Sequence, residues 1–215
     1  MKIETYNKAI NDFIRDLDLC TSYYNIKLIL TLQPYVNLGM DEKTKCNGYF
    51  DDVSEVIAVA TSKPIEQWFP TLVHESCHFD QWRYFTKVWS DYSNNSCSDN
   101  KLDDILTGKL VLSENDNKEY FRISRELELD CERRTINKIK EYNLPIDIKK
   151  CAKGAASYVL FYNYVEKYKK WYVMGREPYN TESILKEMPE SLDGDFSKLE
   201  PHIESMFKGC VSNES

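Results

Sequence analysis

A chain of 215 residues with 42% hydrophobic and 13% aromatic content can bury a core without disulfide or metal staples, which excludes a disordered polypeptide. Its formal net charge of -7 excludes an electrostatic nucleic-acid binder. The strongly apolar stretch at 155–165 is too short to span a bilayer, so no membrane partner is expected.

Tyr6, Ile10, Phe13, Ile14 and Leu17 recur at helical spacing and predict an amphipathic helix over about 3–19. Residues 1–20 mix acidic and basic groups instead of placing an apolar run after a charged end, so no secretory leader is expected. The segment 25–32, "NIKLILTL", reads as a strand stopped by Pro34. Gly39 and Asn47-Gly48 mark turns, and "GYF" at 48–50 and "EVIAVA" at 55–60 read as two further strands. A helix should begin near Pro64 or Pro70, since proline is tolerated in a first turn. Residues 91–104 and 113–119 read as polar loops, with "ILTGKLVL" between them ambiguous between helix and strand. A long helix is expected over about 119–142, a core helix over about 146–172, and short helical pieces in the tail, at "TESILKEM" and "KLEPHIESMF". The basic runs Arg133-Arg134, Lys149-Lys150 and Lys167 to Lys170 read as solvated helix faces. Helix, strands, then helices define an α+β class: one domain, 1–215, with the sheet and key helices in 1–145 and a helical extension in 146–215. Cysteines stand at 20, 46, 77, 97, 131, 151 and 210, an odd number without C-x-x-C spacing. Free thiols in a reducing cytoplasm are the expectation.

The chemistry concentrates in His74-Glu75-Ser76-Cys77-His78. Two of the three histidines of the chain fall there, which makes accidental placement a poor explanation. On a helix, residues four apart stand one turn apart, so two imidazoles can converge on one ion. A helical wheel puts His74, His78, Gln81 and Phe85 on one face, with Trp82 beside it, and sends Ser76, Asp80 and Arg83 toward water. Glu75 is rotated from His74 by about 100°, where it leans over the open coordination position as a general base. This is the logic of H-E-x-x-H, with Zn2+ as the metal.

The third ligand is open on these grounds. The extended form HExxHxxGxxH is absent, because position 81 is Gln and 84 is Tyr, and His202 is the only other histidine. "RELELDCERR" at 125–134 offers Glu126, paired with Asp130 as E-x-x-x-D, or Glu128. The wheel favours Glu128, which falls with Ser124, Cys131, Thr135, Ile139 and Tyr142, and sets Glu132 one turn on as its supporting partner. His202, Tyr158, Tyr162 and the Arg133-Arg134 pair all qualify as oxyanion stabiliser, none above the others.

At these residues the sequence resembles a zincin metallopeptidase of the gluzincin kind: "VHESCHFDQW" is similar to the active-site helix and "ELELDCERR" to the glutamate-bearing second helix. It is similar to metallopeptidase-like proteins encoded by tailed bacteriophages and, more distantly, to repressor-cleaving peptidases of mobile elements. The resemblance covers roughly 46–140 and implies a zincin core, with His74 and His78 as ligands and Glu75 as base. "EVIAVA" would precede the active-site helix, where an edge strand can hold an extended peptide. A protein or peptide substrate and a cytoplasmic setting, that of the infected host if phage-encoded, follow from it. The spacing departs from the pattern: about fifty residues separate His78 from Glu126 or Glu128. The expected function is peptide-bond hydrolysis by zinc-activated water. The alternative is an inactive binding protein in which zinc only holds helices together.

Overall fold

The computed structural model describes residues 7–37, 45–95, 97 and 99–211; Tyr6 and Gly39, singled out above, lie outside them. The chain is mostly helical, with its strands in the N-terminal half, an α+β arrangement. It divides into two compact units, Met1–Tyr84 with Arg134–Ile146, and Phe85–Arg133 with Asp147–Ser215.

In the first unit, α1 spans Lys8–Tyr23. Asn7 caps it, its side chain accepting from the Ala9 amide at 2.9 Å, and Ile10, Phe13 and Leu17 are buried at the expected spacing. Asn25 then turns the chain at φ 60°, a left-handed conformation that asparagine tolerates. The strands β1 (Lys27–Thr31), β2 (Val36–Asn37), β3 (Lys45–Cys46), β4 (Gly48–Asp51) and β5 (Val56–Ala60) follow. They form a three-stranded sheet in the order β1-β5-β4 and a separate β2-β3 ladder. β5 runs parallel to β1, Lys27 opposite Val56, and antiparallel to β4, Gly48 opposite Val59. Every residue of β5 is buried, which accounts for its unbroken apolar run. β5 is therefore the centre of the sheet, and β1 and β4 are its edges.

The helix α2, Ile65–Arg83, packs on β4 and β5. Pro64 precedes its first residue and Pro70 lies inside it, leaving the Glu66 carbonyl without its usual amide partner. The approach of β4 to α2 depends on Gly48: a Cβ there would stand 2.8 Å from Thr71 Cγ2 and 3.0 Å from the Ala58 carbonyl oxygen.

Ser76, Asp80 and Arg83 do not face water as the wheel predicts. Ser76 and Asp80 are buried, because the last part of α5 (Glu114–Glu141) covers that side of α2. Lys138 of α5 donates to the Ser76 carbonyl at 3.0 Å and to its hydroxyl at 2.8 Å, and its ammonium lies 2.6 Å from Asp80. Arg83 pairs with the other Asp80 oxygen at 2.7 Å and also donates to the Cys20 sulfur. Phe85, placed on the histidine face by the wheel, is in fact largely exposed beyond the helix end.

A buried ion is tolerated only when paired, and removing one partner of a buried pair costs about 3–5 kcal/mol. Lys138→Ala should cost about 3 kcal/mol, the lower end, because Arg83 still neutralises Asp80. Urea unfolding checks this: a loss below about 1 kcal/mol would mean that the contact behaves as a surface pair.

The second unit begins with α3, Lys87–Asn94, capped by Thr86, which accepts from the Trp89 amide at 3.3 Å. α4 is Asp99–Leu106. Much of 91–104 is thus helical where a loop was expected: polar composition concealed short helices anchored by few apolar groups, among them the buried Ile105. "ILTGKLVL" divides into the end of α4 and irregular chain that turns at Gly108, φ 74°. α5 begins at Glu114, five residues ahead of the expected start of about 119. Ser113 explains this, accepting from the Asp116 amide at 3.2 Å while its hydroxyl reaches the Asp116 carboxylate at 2.7 Å.

α6, Ile148–Tyr168, is the core helix of this unit; Ala152, Ala155, Ala156, Val159 and Phe161 are among its buried residues. A 3-10 turn at Pro178–Asn180, α7 (Glu182–Glu187) and α8 (Pro201–Lys208) pack around it, with Phe161 and Phe207 edge to face at 5.3 Å. The basic runs are partly engaged: Arg133 donates to the Leu192 carbonyl at 3.0 and 2.8 Å, and Lys149 pairs with Glu190 at 2.7 Å. All seven cysteines are free thiols. Among the described residues no helix is long and apolar enough to cross a membrane.

Candidate metal centre

α2 is held from several sides, and this fixes its histidines. Phe69 meets Phe13 of α1 edge to face at 5.6 Å. Phe79 stacks on Trp82 at 5.9 Å and meets Phe50 of β4 at 5.8 Å. On this frame the rings of His74 and His78 lie 4.8 Å apart, nearly perpendicular at 85°. Both are half-buried, so an approach from solvent is retained. His78 Nδ1 is 2.8 Å from Gln81 Oε1, and Gln81 is fully buried.

Thr135 of α5 donates to the Cys77 sulfur at 3.6 Å, and Lys138 holds Ser76 and Asp80 as above. Cys131 stands one turn before Thr135 on the same helix, fully buried. Donor atoms of His74, His78 and Cys131 all lie within 4.8 Å of one another. Two imidazoles and one thiol therefore form a group able to hold a metal ion.

Glu75 sits between the histidines in sequence and is buried, 8% exposed. Glu128, the sequence-predicted third ligand, is half-buried on α5 three residues before Cys131 and is not one of the three converging donors. It lies instead in the field of the α6 tyrosines. Burial above all, then the Glu128 carboxylate and the neighbouring Tyr162 and Tyr172, hold the Tyr158 phenol well above its ordinary range. Tyr158 therefore remains a neutral hydroxyl, 3.3 Å from that of Tyr162. Glu126 is exposed and engaged by Arg122 at 2.7 Å. Glu132 is buried. His202 is exposed on α8.

Sequence reasoning missed Cys131 as a donor and Gln81 as the partner of His78. Cys131 entered only as a marker of the buried face of α5, and Gln81 only as a residue of the histidine face and a departure from a longer histidine motif. The signal for Cys131 was present: a thiol is a metal ligand in its own right, and this one already shared the face chosen for Glu128. Gln81, three residues from His78, had the spacing of a helical side-chain pair.

No family model matches the chain, and neither the curated proteins nor the solved structures yield a match.

Proposed function

We propose that this protein is a zinc-dependent hydrolase, most specifically a peptidase, with His74, His78 and Cys131 as metal donors and Glu75 as general base. The observation that carries the reading is the convergence of those three donors within 4.8 Å around an H-E-x-x-H helix. The donor set fits zinc: imidazole and thiolate are borderline-to-soft ligands, which magnesium and calcium do not favour. Three protein donors are also the number in catalytic zinc sites, which keep a fourth position for water or substrate. A zinc ion there would supply Lewis acidity toward a carbonyl and toward a water molecule. Glu75 then takes the proton from the attacking water and passes it to the leaving amine. For an extended peptide, the edge strand β4, adjacent to α2, offers backbone groups for strand addition.

One observation favours a second reading, a zinc-stabilised binding protein without turnover: Cys131 is fully buried, and cysteine is the commonest ligand of closed structural sites. Elemental analysis combined with variants tests the metal assignment. About one zinc per chain is expected, with Cys131→Ser weakening affinity about 10-fold or more and Glu128→Ala much less. A larger effect of Glu128→Ala would return the third position to the carboxylate, and absence of stoichiometric metal would remove both readings.

A further inference from the structure

We infer that Gln81 is the positioning residue of the site: its carbonyl accepts the Nδ1 proton of His78 and presents Nε2 as the metal donor. The inference rests on the metal-site reading above. Neutral imidazole carries one proton on either ring nitrogen, and the partner of one nitrogen decides which nitrogen keeps a free lone pair. In this protein Nδ1 of His78 faces Gln81 Oε1 at 2.8 Å. A carbonyl oxygen cannot donate, so the proton must lie on Nδ1 and the lone pair on Nε2.

Three features make Gln81 fit for this role. It stands three residues after His78 on the same helix, so the two side chains are neighbours without any contribution from a loop. It is fully buried, so water does not compete for the contact and the amide keeps its place. It is also neutral. A carboxylate in its place would share the imidazole proton and strengthen the donor, as in carboxylate–histidine–zinc arrangements. The amide fixes the tautomer and ring plane while adding no charge to a group whose thiol already supplies one.

The tautomer can be read before any metal is added. In metal-free wild-type protein, 15N NMR of the imidazoles should find His78 protonated on Nδ1, with Nε2 showing the shift of an unprotonated nitrogen. A proton on Nε2 would overturn the inference in the folded wild-type chain, whatever the variants do. Gln81→Met keeps the length and burial but removes the carbonyl. It should lower zinc affinity by about 10–100-fold and alter the visible absorption of the cobalt-substituted protein. Gln81→Glu retains an acceptor and should restore affinity to the wild-type level or above. Wild-type affinity and an unchanged cobalt spectrum in folded Gln81→Met would make Gln81 a packing residue only. Failure of wild type to bind zinc at all would strike the metal-site reading instead, and the NMR result separates the two cases.

Discussion

Glu75→Gln should keep its metal and lose hydrolysis. The amide and the carboxylate are nearly the same size, so a side chain that is 8% exposed can be exchanged without reshaping the helix around it. What changes is proton affinity. An amide does not accept a proton from water near neutral pH, so the nucleophile is not generated beside the scissile carbonyl. A general base contributes about 10²–10⁴-fold, and a site relying on one carboxylate belongs at the upper end. The measurement begins with an unbiased peptide library or a host-extract cleavage profile, followed by rates for both proteins on any substrate found. Equal rates would remove Glu75 as the base. With zinc bound, no cleavage by either protein and the fourth position closed by a protein side chain, the binding-protein reading takes precedence.

His74→Ala and His78→Ala should each abolish stoichiometric zinc while leaving the chain folded. Each replacement removes one of three donors, and the remaining two cannot complete a tetrahedral zinc site. The fold should persist because its cores are built from other residues. Leu72, Val73 and Phe79 of α2 are fully buried, each contributing about 1.5–3 kcal/mol by burial. Chelation of wild type should likewise lower the melting temperature without unfolding it. Metal content by mass spectrometry and circular dichroism provide the check. Zinc retained by either variant would show that the histidine is not a ligand, and collapse of the structure on chelation at room temperature would favour a structural role for the metal.

The sheet and the histidine pair were legible in the sequence for a shared reason: each is written in contiguous residues. A short apolar run of β-branched and small residues bounded by turn signals reads as a strand buried on both faces, as β5 is. Histidines four apart on a helix must share a side, as His74 and His78 do. What was not legible depends on distant partners. Ser76 and Asp80 read as solvent-facing because nothing near them reveals Lys138, 62 and 58 positions later. The wheel describes one helix, and a helix covered on several sides has no water face to assign. Cys131 and Glu128 share a face in projection, yet their difference in position along α5 matters: one thiol joins the histidines, while the carboxylate lies in the tyrosine field of α6.

The first unit is discontinuous: Met1–Tyr84 is completed by Arg134–Ile146. On a ribosome, Ser76 and Asp80 therefore emerge well before Lys138. At about 5–20 residues per second, the intervening stretch takes roughly 3–12 s to make. For most of that interval the nascent chain holds His74, His78 and Asp80 but neither Cys131 nor Lys138, the cysteine being made seven residues ahead of the lysine. The order of synthesis thus places His74 and His78 in the chain seconds before Cys131 joins them, and on the proposed metal reading a three-donor site can form only after that.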